Sequence, residues 1–162
     1  MNPMNDLHAS VIGAGLAGSE AAWQLAKRGI RVTLYEMRPG KHSPAHRTDK
    51  FAELVCSNSF RGDKLSNAVG LLKEEMRILD SLIMKMADRN RVPAGKSLAV
   101  DRVNFSRDIT DVINSHPNIT VIHEEVQTID TEIPTIICAG PLCEGKLTES
   151  LSRLCGNDFL HF

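Results

Sequence analysis

The chain has 162 residues, 42% of them apolar and 24% charged, with 19 Lys and Arg against 20 Asp and Glu for a net charge of −1. This length and composition predict one domain with a real core, and they exclude a disordered, collagen-like or disulfide-scaffold chain. The balanced charge does not advertise nucleic-acid binding, and no apolar run approaches bilayer length.

The start, MNPMNDLH, carries no basic or apolar leader pattern, so a cytoplasmic protein with no membrane partner is expected. Residues 8–12 (HASVI) predict a short buried strand that runs directly into Gly13-Ala14-Gly15-Leu16-Ala17-Gly18. From Leu16 to Arg28 the apolar spacing is helical, and Gly29 stands where a left-handed residue ends a helix. Residues 31–35 predict a second strand, closed by Glu36. The whole is a strand–turn–helix–strand unit of βαβ size.

In that context the glycine spacing has a physical meaning. Gly13 permits the tight turn, Gly15 lets backbone approach a pyrophosphate, and Gly18 lets the helix sit close to the strand. The helix N-terminus offers unpaired N–H groups and a partial positive charge to phosphate. Glu36 lies 18 residues past Gly18. An acid there suits ribose hydroxyls and disfavours a 2′-phosphate, which points to FAD or NAD over NADP. Gly13, Ala14, Gly15, Leu16, Ala17, Gly18 and Glu36 are the candidate cofactor residues.

Residues 37–66 are predicted to be irregular, with turn residues at Pro39, Gly40, Pro44 and Gly62. Between Arg38 and Lys64 six basic residues face three acids, a net charge of +3. Long irregular segments in compact domains are usually functional or disordered. Lys41, Arg47, Arg61 and Lys64 are candidates for phosphate contact or for ordinary solvated surface.

Residues 67–87 predict a single amphipathic helix, with Val69, Leu72, Met76, Leu79, Ile83 and Met86 as its apolar stripe. Residues 97–100 predict a short strand, and Asp101 caps a helix running to about Ser115. Ile119–His123 and Glu125–Ile129 alternate as a pair of antiparallel strands. Thr135–Cys138 predicts a strand ending at Ala139-Gly140-Pro141, which adds Gly140 to the candidate cofactor residues. A last helix spans about Lys146 to Leu154, and the tail NDFLHF predicts a further strand. The four cysteines, Cys56, Cys138, Cys143 and Cys155, form no CxxC pair and lack zinc spacing with the histidines, so no metal site is expected.

Several segments carry a resemblance. The antiparallel pair followed by a strand ending in Cys138-Ala139-Gly140-Pro141 resembles the two-dinucleotide-binding flavoproteins, whose first domain has a β-meander and an Ala-Thr-Gly-like turn. More specifically, residues 51–63 (FAELVCSNSFRGD) and 67–77 (NAVGLLKEEMR) resemble the bacterial folate- and FAD-dependent tRNA (uracil-5-)-methyltransferase family, relatives of the GidA flavoproteins. Val92-Pro93-Ala94-Gly95, Leu98–Arg102, His116-Pro117 and Cys138–Leu142 extend the match over nearly the whole chain.

The resemblance implies a Rossmann-like FAD/NAD(P)-binding α/β fold with a central parallel sheet and a β-meander. It implies FAD as cofactor, methylenetetrahydrofolate as one-carbon donor, and NADH or NADPH as reductant. The acceptor would be C5 of a T-loop uridine, making tRNA the partner. Cys56 matches the family's first functional cysteine and is the one catalytic candidate. Uracil C5 is a poor nucleophile until a thiolate adds at C6 or a base assists, and positive surroundings favour a thiolate. Whether Cys56 is nucleophile, acid/base or flavin partner stays open. Family members are longer, so residues 1–162 are expected to be the first part of a discontinuous FAD-binding domain, incomplete at the C-terminus and inactive alone. A stand-alone dinucleotide-binding module and a non-functional truncation are the alternatives.

Overall fold

The computed structural model describes residues 7–141 and 143–156. Strand β1 (His8–Ile12) is buried almost throughout, as its unbroken apolar run requires of a central parallel strand. It leads through the glycine loop into helix α1 (Leu16–Ala26), and Gly29, at φ +82°, turns the chain into β2 (Arg31–Tyr35). The expected βαβ unit is formed, and β2 lies parallel to β1 with Val11 beside Leu34.

Beyond β2 come β3 (Ser59–Gly62), α2 (Ala68–Ile78), α3 (Leu82–Arg89), β4 (Arg91–Val92), β5 (Ser97–Val100), α4 (Arg102–Ser115), β6 (Ile119–Ile122), β7 (Thr135–Ile137) and α5 (Lys146–Cys155). The main sheet is parallel, in the order β6-β2-β1-β7. A small antiparallel sheet, β3-β5-β4, sits apart from it. Val11, Leu34, Leu82, Met84, Leu98, Phe105, Ile109 and Ile113 are all but sealed from solvent and join the two sheets and α1, α3 and α4 into one core.

The antiparallel pair predicted over 119–129 is not formed. Residues 119–122 pair parallel with β2, Val32 beside Ile119, and 125–129 form no strand. A four-residue apolar alternation suits either direction of pairing, and the partner was β2 rather than the next segment. The β-meander is therefore absent among the described residues. The predicted strand over NDFLHF and residue Leu142 lie outside the described residues.

The single helix predicted over 67–87 is two helices. Asp80 adopts φ +56° and breaks it. Ser81 caps α3 through Met84 N–H, and the Glu20 carboxylate of α1 accepts from Leu82 N–H (3.3 Å) and Ile83 N–H (2.9 Å). An acid at a helix start is favoured by the exposed N–H groups and the dipole. The break buries Ile83 and Met86 and leaves Leu72 and Leu79 exposed. No helix among the described residues is long and apolar enough to cross a membrane.

Candidate functional site

The glycine loop lies at the C-terminal end of β1, between β2 and β7. Gly13 has φ +96°, and a side chain there would meet the Cys138 carbonyl oxygen at 2.5 Å. A Cβ on Gly18 would fall 1.7 Å from the Gly13 oxygen. These two glycines are required by the fold itself. Gly15 differs: a Cβ there would meet nothing within 4 Å, so the space above it is open. Gly15 is also the N-cap of α1 and supplies no capping side chain to the first-turn N–H groups of Leu16 and Ala17. Open space over an uncapped helix start is the cradle a diphosphate needs.

Ala14 is sealed and held from both sides. Its N–H donates to Glu36 Oε2 (2.9 Å), and its carbonyl accepts from Ala52 N–H (2.9 Å) and the Ser19 hydroxyl (3.2 Å). Glu36 is buried. Besides Ala14, its carboxylate accepts from Arg38 N–H, Nε and Nη2 at 3.1, 2.8 and 3.1 Å. Four donors occupy the acceptor positions of one carboxylate. A ribose hydroxyl at Glu36 would have to replace one of them. Burial pushes the Glu36 carboxyl up, but the Arg38 bonds and charge with the Ala14 N–H outweigh it and hold it below the usual carboxylate range.

Arg38 is the residue the sequence reading passed over. It is 1% exposed, and its remaining donor, Nη1, points to the carbonyls of Thr48 (3.2 Å) and Lys50 (2.8 Å) and to Glu53 (3.4 Å). Glu53 also accepts from Arg47 and Thr48 N–H. A basic residue two positions past the acid, in E-x-R spacing, was the available signal. Its guanidinium is spent internally, so it is not free to take a 2′-phosphate.

The segment 37–66 is irregular up to β3, as expected, and it docks on the glycine loop through Ala52. Asn58 ties it to β5 twice: its carbonyl accepts from Val100 N–H (2.9 Å), and its side-chain amide donates to the Val100 carbonyl (2.9 Å). The Ser57 and Ser59 hydroxyls each accept a backbone N–H two residues on. The polar residues of CSNS thus satisfy local backbone, while Cys56 stands exposed. It is within about 14 Å of Ala52 even if the chain between is fully extended.

The other cysteines differ. Cys138 packs on the glycine loop, its N–H donating to the Ile12 carbonyl (2.7 Å), and burial pushes its thiol up. Gly140, at φ +75°, follows β7 and borders an apolar cleft with Ile137 and Leu147. Lys41 pairs with Glu125 at 2.5 Å, while Arg47, Arg61 and Lys64 are exposed and not brought together by any bond to one another. Trp23, on α1, bonds the Asp80 carbonyl at 3.2 Å, on the α3 side of the helix.

The profile of the family described as glucose inhibited division protein A, GidA, matches residues 8–149. The chain belongs to the GidA family. Among solved structures, Aquifex aeolicus GidA matches with a TM-score of 0.61 at 19% identity, over 78% of this chain and 21% of that one. The GidA-related protein of Thermus thermophilus matches with a TM-score of 0.50 at 16% identity, over 91% and 68%. These two likenesses concern the fold, and they agree with the Rossmann-like α/β architecture read from the sequence.

Curated relatives are far more similar. A protein of Anoxybacillus flavithermus named methylenetetrahydrofolate–tRNA-(uracil-5-)-methyltransferase TrmFO is 64% identical over 156 residues, covering 96% of this chain and 36% of that protein. The Bacillus subtilis protein of the same name is 62% identical over 159 residues, covering 98% and 36%. This GidA-family chain therefore spans about a third of the length of the curated relatives it matches. The methyltransferase resemblance drawn from residues 51–77 agrees with these names.

Proposed function

We propose that this chain is the FAD-binding part of a folate-dependent tRNA uridine C5-methyltransferase. The observation that carries the reading is the exposed Cys56, presented by a segment whose Ala52 is hydrogen-bonded to the glycine loop. A bare dinucleotide module has no need of such a segment. The names of relatives more than 60% identical support the same reading.

The residues present fit the cofactor's diphosphate. Gly15 leaves room for it, and the Leu16 and Ala17 N–H groups at the uncapped start of α1 would hold it. Ala14 and Gly18 set the loop's path, Gly13 makes its turn, and Gly140 faces the same end of the sheet. Glu36 and the internally paired Arg38 leave no free cation for a 2′-phosphate. When bound, FAD would supply the electrons that reduce a one-carbon unit from methylenetetrahydrofolate to a methyl group. NADH or NADPH would reduce it in turn, and a T-loop uridine of tRNA would accept the methyl. Cys56 would act on the uracil or on a transferred proton from its exposed position.

Titration of the purified chain, followed by flavin absorbance and emission, tests the cofactor. FAD is expected to bind at least about tenfold more tightly than NAD, a difference of about 1.4 kcal/mol. Trp23 is a poor reporter because its indole faces Asp80, so the flavin's own signal is the better measure. Binding of NAD without FAD would favour a stand-alone nicotinamide module and sink the flavin reading. In a protein of the relatives' full length, Cys56→Ala is expected to retain FAD and lose methyl transfer to tRNA. Undiminished turnover would remove Cys56 from the chemistry.

A further inference from the structure

Three consecutive residues ahead of Cys56 are each tied to a different part of the molecule. Phe51 N–H donates to Thr110 Oγ1 of α4 at 2.9 Å. Ala52 N–H donates to the Ala14 carbonyl at 2.9 Å. The Glu53 carboxylate binds the Arg47 and Thr48 N–H groups and accepts from Arg38, whose other bonds reach Glu36. Glu36 in turn holds the Ala14 N–H. The glycine loop and the Cys56 segment therefore share both faces of one residue, Ala14.

Ala52 is fully buried and adopts φ +50°. For a residue with a Cβ the left-handed region is strained, because the side chain crowds the following carbonyl oxygen. Such strain persists only where the surroundings over-determine it. Of the three described non-glycine residues with positive φ, two, Ala52 and Arg61, bracket Cys56. The segment is thus pinned at a strained point whose key bond belongs to the loop that would carry the diphosphate.

We propose that Ala52, with Arg38, Glu53 and Thr110, positions the Cys56 segment so that its docking strengthens when a diphosphate occupies the glycine loop. The proposal rests on the dinucleotide reading of that loop. A diphosphate held by the Leu16 and Ala17 N–H groups favours the state in which Ala14 is fixed. That is also the state in which the Ala14 carbonyl can accept from Ala52. A ligand that prefers one of two states shifts the balance by its differential affinity. By linkage, docking of the segment must tighten the ligand by the same factor.

The test is the rate at which the Ala52 amide hydrogen exchanges with deuterium, followed by mass spectrometry of the peptide that contains it, without and with ADP. Ala52 is fully buried and its N–H is bonded to Ala14, so its exchange reports the opening of the docked segment. Couplings of this kind usually amount to about fivefold or more, so saturating ADP is expected to slow Ala52 exchange by at least that factor. Glu53→Gln weakens the tie to Arg38, and Thr110→Val removes the acceptor of Phe51 N–H with little change of shape. Both variants are expected to exchange at a faster rate, with an ADP effect below about twofold, and to lose ADP affinity by no more than the coupling factor. A purely structural role would leave the variants' ADP effect intact. If ADP binds the wild-type chain and the Ala52 rate does not change, or if both variants keep the full ADP effect, the coupling is wrong while the dinucleotide reading stands. If ADP does not bind at all, the dinucleotide reading falls and takes the coupling with it.

Discussion

Gly15→Ala is expected to weaken dinucleotide binding about 10- to 100-fold, the effect of about 1–3 kcal/mol of steric conflict, while leaving the fold intact. A methyl at Gly15 touches no protein atom, so its clash would be with a diphosphate alone. The exchange of glycine for alanine at a helix N-cap costs stability of about 1 kcal/mol at most. Gly18→Ala is expected to behave oppositely. Its methyl would sit 1.7 Å from the Gly13 oxygen, a distance that only movement of the loop could relieve. Overpacking of this kind costs about 1–3 kcal/mol or more, and binding would be lost because the loop is displaced. Urea unfolding alongside FAD titration separates the two variants. Equal loss of stability in both would mean that Gly15 is as much a part of the packing as Gly18, and the cradle assignment would fail.

Arg38→Met should be among the most destabilising single substitutions in the chain. Methionine fills similar volume but leaves Glu36, 5% exposed, and the largely covered Glu53 without their shared cation. Removing one partner of a buried ion pair costs about 3–5 kcal/mol. For a domain of this size the thermal midpoint should fall by roughly 10 °C.

The pH dependence of that loss has a definite sign. In the wild-type chain burial raises both carboxyls, but Arg38 and the backbone N–H donors outweigh it at Glu36, and chiefly the Thr48 and Arg47 N–H groups do so at Glu53. Both are held below the ordinary carboxylate value. Their contribution is therefore present above about pH 4.3 and is lost as the pH falls below that. Without Arg38, burial dominates at Glu36 and its carboxyl moves up. The unfolded state then ionises first, and the variant suffers most at neutral pH. The gap in midpoint between variant and wild type should narrow from pH 7.5 to pH 4.5. His46 lies in the same cluster, its imidazole held down by burial and by Arg38. A His46→Gln background removes its titration from the comparison. A gap that is constant with pH would show that Arg38 matters by packing alone.

The βαβ unit, the glycine loop and the helices from Asp101 and Lys146 were legible in the chain because each is encoded locally. Apolar period, a cap and a glycine at a turn are all read from neighbouring residues. The exposed cysteine was legible only through the resemblance of its segment, since nothing in the spacing distinguishes Cys56 from Cys138. Tertiary structure decided the rest, and it did so wherever a group chose a distant partner. Residues 119–122 had an alternation that either sheet direction accepts, and β2 took them in parallel. The stripe over 67–87 was continuous, yet a new helix starts at Leu82, where Glu20, some sixty residues away, accepts the first two N–H groups beside the Ser81 cap. Glu36 looked like a free acceptor at a strand end, and four donors from Ala14 and Arg38 already fill it. Local backbone preference is written in adjacent residues, whereas the pairing of buried charges and strands depends on which parts of the chain the core brings within about 3 Å of each other.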